Sequence, residues 1–168
     1  MEIKVEIKDG GVKQKLAEIA AKGGNLTPIM RVIGEIVRTS VERNFAAGGR
    51  PTWAESQRVK REGGQTLSRS GILRRSFTLP GAVVVGNNRV SVGTNVKYAA
   101  IHQFGGKTAP HTIVPRKAKA LFWPGAKHPV KSIKHPGSVI PARPFMMVQD
   151  EDWTEIKQSV MNYYLSTR

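Results

Sequence analysis

Cysteine is absent from this 168-residue chain. Disulfides, thiolate nucleophiles and thiolate metal ligands are excluded in one step, while no compartment is favoured by the lack. Long apolar runs are missing as well, and nothing approaches the roughly 18 residues that cross a bilayer as a helix. The opening MEIKVEIKDGG alternates charged with apolar residues and reads as a strand, not as a signal peptide. Carboxylates are scarce: 12 Asp+Glu stand against 27 Lys+Arg, a formal net charge of +15. Such a balance suits an acidic partner, be it nucleic acid, a membrane surface or an electronegative protein ring. What is present in quantity is apolar material, 39% of residues, enough for one ordinary domain with a core.

Along the chain, Ile3, Val5 and Ile7 alternate with charges and predict a first strand. Asp9 is placed to cap a helix with Val12, Leu16, Ile19 and Ala20 on one face, ended by Gly23-Gly24. A longer helix opens at Thr27-Pro28, where the missing proline N–H costs nothing, and stops at Gly48-Gly49. Its Ile29, Ile33, Ile36, Val37, Val41 and Phe45 recur at three- and four-residue spacings, so it is the main core helix. Between 48 and 70 the periodicity fades, which predicts either a mobile connection or a weakly helical surface segment. Strands are predicted at 76–79, 82–85 and 89–93, the last two joined by Gly86-Asn87-Asn88 in a hairpin. One turn of helix follows over 98–104. The next segment, 107–139, contains Pro110, Pro115, Pro124, Pro129 and Pro136 and cannot be helical. In it, 112–114 and 120–123 are expected to pair, with an extended arm following. Pro144 then opens a last helix with Val148, Trp153, Ile156, Val160 and Tyr164 on its apolar face. The reading is one α+β domain, an antiparallel sheet packed on the long helix and the C-terminal helix, with projecting segments at about 48–70 and 107–139.

Chemistry finds few footholds in these residues. His102, His111, His128 and His135 show no i, i+4 pairing on a helix, and no cysteine or carboxylate near them in sequence completes a metal set. Tyr98 and His102 lie one helical turn apart, which suits a structural hydrogen bond. No serine sits in a Gly-x-Ser-x-Gly elbow. The glycine pairs at 48–49, 63–64 and 105–106 lack Walker spacing and read as chain reversals. Gly93 and Gly105 are expected at backbone positions that a side chain would obstruct. No cofactor is indicated.

Positive charge gathers in two places. Lys107, Arg116, Lys117, Lys119, Lys127, Lys131 and Lys134 fall in the proline-bearing segment, with no acid between Gly105 and Pro136. Arg50, Arg58, Lys60, Arg61, Arg69, Arg74 and Arg75 fall in or beside the 48–70 connection. Segments of this kind suit ordering against a neighbouring subunit or an acidic ring, or facing DNA in a channel. Phe122 and Trp123 offer an apolar anchor for an interface. The interface candidates are therefore Arg116, Lys117, Lys119, Phe122, Trp123, Lys127, Lys131 and Lys134, joined by Arg58 and Arg61.

Two stretches carry a family likeness: VSVGTNVKYAAIHQFGG at 90–106 and IPARPFMM at 140–147. With the Trp after Gly-Arg-Pro at 49–53 and the Ser-Gly-x-Leu-x-x-Ser segment at 70–76, they resemble the phage virion morphogenesis family, the tail-completion or neck proteins of Mu-like and related tailed phages. Residues 54–66 match weakly, and Met146-Met147 stand where a Leu and a small residue are common. The motif positions are Gly93, Asn95, Tyr98, His102, Gln103, Phe104, Gly105 and Gly106, then Pro141, Arg143, Pro144 and Phe145. Prolines on both sides of Arg143 present its guanidinium at little ordering cost, toward a carboxylate or strand carbonyls of its own chain ahead of a contact with a neighbouring subunit, and Phe145 reads as core. The resemblance implies a non-enzymatic ring, of six copies, in the virion after assembly in the host cytoplasm. Its implied neighbours are the head-closure or connector protein and the tail terminator or tail tube protein, with DNA passing through the channel and no membrane. A stand-alone DNA-binding protein is the rival that the charge supports; a hydrolase has only scattered His and Ser in its favour.

Overall fold

The computed structural model describes residues 12–166. The strand expected at 3–7 and the Asp9 cap lie outside them. The chain forms two compact units, one of Met1–Val96 with Phe145–Arg168 and one of Lys97–Pro144.

In the first unit, α1 (Val12–Gly23) leads to α2 (Thr27–Ala47), which carries Pro28 in its first turn and is closed by Gly48, whose N–H donates to the Asn44 and Phe45 carbonyls. Ile29, Ile36, Val41 and Phe45 are buried as the spacing requires, whereas Ile33 and Val37 are half-buried. The same face also buries Gly34, Ser40 and Asn44. Gly34 has a steric reason: a Cβ there would sit 2.7 Å from Val83 Cγ1 and 2.8 Å from Val90 Cγ2, so only glycine lets the neighbouring hairpin this close. Of the two readings of residues 48–70, the weakly helical one forms, as α3 (Gln57–Glu62) with Ser56 capping the Val59 N–H. It is tied down at both ends. Trp53 packs edge-on to Phe45 at 5.5 Å, and the Gln65 amide donates to the Phe45 carbonyl at 2.6 Å.

After α4 (Ile72–Arg75) the strand expected at 76–79 does not form. The N–H groups of Ser76, Phe77 and Thr78 donate back to the carbonyls of Ile72, Arg74 and Arg75, so the backbone keeps coiling and has no donors free for a ladder. Phe77 is turned inward to join Phe45 and Phe145, all three fully buried. The expected hairpin does form, as β1 (Val83–Val85) against β2 (Val90–Val92), and it packs on α2.

The second unit holds α5 (Ala99–Phe104) and four short strands: β3 (Gly106–Lys107), β4 (His111–Ile113), β5 (Ile133–His135) and β6 (Val139–Ile140). The expected pairing of 112–114 with 120–123 is replaced. Thr112 pairs with Lys134, and Leu121 bridges Val130. Pro115, two residues past the end of β4, has no N–H to extend a local ladder, whereas 133–135 offers an unbroken partner. The pairs Gly106↔Ile140, Lys107↔Val139, His111↔His135 and Ile113↔Ile133 keep one register, so β3–β6 and β4–β5 are two stretches of one long ribbon.

The last element, α6 (Asp150–Leu165), belongs to the first unit and begins six residues after the expected Pro144. The carbonyls of Phe145 and Met147 accept from the Asn44 side chain at 2.9 and 2.8 Å, which holds that stretch extended along α2. Gln149 and Asp152 then cap the helix reciprocally. On the expected apolar face Ile156 is buried and Val148, Val160 and Tyr164 are half-buried, but Trp153 is 52% exposed. The α+β reading holds, with three two-stranded antiparallel ladders among the described residues in place of one sheet.

Candidate interaction surface

Within the second unit, the motif residues build the base of the ribbon. Tyr98 occupies the N-cap position of α5 and meets the His102 ring edge-on at 5.8 Å. The His102 carbonyl accepts from the Arg143 N–H at 2.7 Å, which fastens the returning strand to α5. Gly105 justifies its place: its φ is +73°, and a Cβ would lie 2.8 Å from the Ala142 nitrogen and 3.0 Å from the Ile140 oxygen. Gly93 does not behave as expected, since its φ is ordinary and nothing stands within 4 Å of a Cβ built there. Arg143 is only 4% exposed, and burial lowers its pKa. His102 is held below the usual imidazole range, first by burial and second by the Arg143 charge. Its Nδ1 is buried without a hydrogen-bond partner. Gln103 and Pro144 are half-buried, Asn95, Phe104, Gly106 and Pro141 are exposed, and Phe145 is core.

The ribbon that starts here places Arg116, Lys117, Lys119, Lys127, Lys131 and Lys134 in solvent. Phe122 and Trp123 are exposed by 67% and 42% beside the Leu121–Val130 bridge. Lys97–Pro144 contains nine Lys+Arg and no Asp or Glu, so all twelve carboxylates of the chain lie in the other unit. The ribbon also brings together two histidines far apart in sequence. His111 and His135 are paired residues whose rings stack at 5.1 Å, while His111 Nδ1 meets the Ala109 carbonyl and His135 Nδ1 accepts from the Gly137 N–H. Among the described residues no group of three or more His, Asp or Glu is placed to hold a metal ion. No described helix is long and apolar enough to cross a membrane.

Of the candidates outside the ribbon, Arg58 turns inward. Its guanidinium donates to the Gly63 and Gln65 carbonyls, at 3.2 and 2.7 Å, and shapes its own loop. Arg61 is exposed and reaches back to the Gln57 carbonyl at 3.3 Å.

Sequence reasoning missed two features of the first unit. One is a polar cluster under α6: Asp152, fully buried, accepts from the Ser40 hydroxyl and the Gln149 N–H, with Arg43 and Arg50 at 3.6 and 3.8 Å. Arg50 also donates to Asn44 Oδ1 at 2.9 Å and pairs with Glu151 at 2.5 Å. The polar residues at 40 and 44, at helical spacing inside an apolar face, were the available signal. The other is a shallow groove of about 400 Å³ on α2 and α6, lined by Arg31, Val32, Glu35, Ile36, Thr39 and Glu155.

What fold and surface define is a basic α+β protein whose most distinctive sequence builds a cationic ribbon and the base that holds it. The chain belongs to the phage virion morphogenesis family, whose model matches residues 7–165. It is similar to Mu-like prophage FluMu G protein 2 of Haemophilus influenzae, with 31% identity over 163 residues that cover 96% of each chain. No solved structure matches it.

Proposed function

We propose that this protein is a structural component of a tailed-phage virion, a tail-completion or neck protein whose copies form a ring, of six, joining the tail to the head-closure complex. The observation that carries the reading is the family match across nearly the whole chain, reinforced by a relative of Mu-like prophage origin that is matched over 96% of each chain. The work is joining by interface formation, without turnover, and the ribbon is an adhesive suited to it. Assembly takes place in the host cytoplasm, and the finished protein resides in the virion between the connector side and the tail tube or its terminator. The test is a phage lacking this gene, examined by electron microscopy. Unjoined heads and tails that combine when purified protein is added are the expected result. A protein that binds neither tail tubes nor head-closure components, and whose loss leaves particles joined, overturns the reading.

Contact with DNA threading the ring is favoured by one further observation: residues 63–149 contain no Asp or Glu. Backbone phosphates need no sequence motif for such contact. Steep loss of DNA affinity with salt, without any stable protein partner, would make DNA binding the primary role.

A further inference from the structure

The two units divide the charge unequally, and this constrains how copies meet. Every carboxylate lies in Met1–Val96 or Phe145–Arg168, and none accompanies the nine cations of Lys97–Pro144. A contact in which two ribbons face each other places like charges together, which costs energy at every pair. The acid-bearing unit is itself net positive, with 18 Lys+Arg against 12 Asp+Glu, so a head-to-tail contact places unlike charges together only where the ribbon meets a patch that presents carboxylates. Heterologous contacts of this kind form a ring when the rotation between copies closes.

The ribbon's end narrows the choice of seat. Phe122 and Trp123 are exposed apolar surface with Lys119 and Lys127 on either side in sequence, a combination that needs an apolar seat flanked by carboxylates. The α2–α6 groove has that chemistry. Val32, 44% exposed, provides apolar surface above the buried Ile36, while Glu35 and Glu155 add carboxylates. Glu35 is shared with Arg38 at 2.7 Å, and Arg31 is the one cation in the lining. Glu155 is exposed. A phosphate backbone would answer the lysines but would leave the two aromatics without a partner.

We infer that the tip of the ribbon, Phe122 and Trp123 with Lys119 and Lys127, docks in the α2–α6 groove of a second copy of this chain, with Glu35 and Glu155 receiving the lysines. The inference rests on the ring proposed above and assigns the surface that closes it. A photo-crosslinker, p-benzoylphenylalanine in place of Trp123, is incorporated in phage-producing cells, and particles are irradiated after purification. The expected product has twice the chain mass, with the crosslink mapped to residues 31–39 or to the α6 peptide containing Glu155. Crosslinks confined to another virion protein, or to DNA, overturn this inference and leave the structural role standing. Absence of the chain from particles overturns the structural role itself. Charge exchange gives a second readout. Lys119→Glu with Lys127→Glu, or Glu35→Lys with Glu155→Lys, lowers joined-particle yield about tenfold or more, equivalent to about 1.4 kcal/mol, and combining all four restores most of it. All four side chains are exposed, and the Glu35–Arg38 pair that one exchange removes is a surface pair of small worth, so the fold is expected to hold, as thermal melting checks. Failure of the combination to recover yield overturns the assignment.

Discussion

Asp152 is the residue on which the first unit's helices depend most directly. It is fully buried, accepts from Ser40 and from the Gln149 N–H, and stands near the guanidiniums of Arg43 and Arg50. Removing a buried carboxylate strands the groups arranged around it, a larger loss than the pair's net attraction. Asp152→Ala therefore lowers stability by about 2 kcal/mol, combining the buried Ser40 hydroxyl left without its acceptor and the lost cap, seen as a lower urea midpoint at unchanged slope. His102 gives a prediction of different kind. Its pKa is depressed in the folded protein, by burial first and by Arg143 second, so the native state takes up its proton less readily than the unfolded chain. Above the unfolded value of about 6.5 both states are neutral and the full stability is present. As pH falls below it, the unfolded chain protonates first and stability is lost, down to the folded value. His102→Gln keeps a similar bulk without titrating. Comparing thermal melts of the two proteins at pH 7.5 and 5 is expected to show the smaller acid-induced drop in the variant, and equal drops would refute the assignment. The other three histidines are common to both proteins and cancel.

At the scale of elements, the parts legible in the sequence are those whose causes are local. Pro28 in the first turn and Gly48-Gly49 at the end bound α2 because such signals act within one turn, although Leu26 and not Thr27 takes the N-cap position and no side chain caps it, and the turn at Gly86–Asn88 brings adjacent strands together. The failures share a non-local cause. Residues 76–79 alternate like a strand, but Phe77 is drawn to Phe45 and Phe145 from distant sequence. The ribbon's partners lie some twenty residues apart, so period alone could not choose between 120–123 and 133–135 for the segment at 112–114. The start of α6 was marked by the Gln149 and Asp152 pair, yet Pro144 was the louder signal. The motif glycines separate in the same way. At Gly105 an added methyl would meet the backbone of 140 and 142 at positive φ, whereas at Gly93 it would meet nothing. Gly105→Ala is expected to cost about 2 kcal/mol and to speed amide exchange of Arg143, which bonds the His102 carbonyl. Gly93→Ala is expected to be neutral or slightly stabilising, since it restricts only the unfolded chain. Equal effects at the two positions would mean that the close approach at the ribbon base does not matter.

For the whole molecule, the governing fact is a net charge of +15 carried by a chain whose proposed role brings several copies together. Like-charged copies repel over about 8 Å at physiological ionic strength, so assembly requires each copy's cations to meet carboxylates or another anion. The composition showed the excess, and the order of residues showed where it gathers. Only the ribbon's pairing shows that these cations lie on its strands or on the segment between them, above a common base. That register also provides a clean excision. Ile113 and Ile133 are directly paired, so residues 114–132 can be replaced by Asn-Gly, a two-residue turn whose twist matches paired strands. The change removes Arg116, Lys117, Lys119, Lys127 and Lys131, along with Phe122 and Trp123, and takes the formal charge from +15 to +10. It leaves α5, β3, β6 and the whole first unit untouched. The shortened protein is expected to keep its thermal midpoint within a few degrees, because none of the excised residues is buried. It is also expected to lose self-association by mass photometry and to fail in restoring joined particles when added to an extract lacking the native chain. Were the ribbon's partner DNA, the same excision would leave self-association intact and would flatten the salt dependence of DNA binding by roughly 0.9 for each lost phosphate contact. The two measurements on one variant thus assign the ribbon to protein or to nucleic acid, and retained assembly with the tip removed would exclude it as the element that closes the ring.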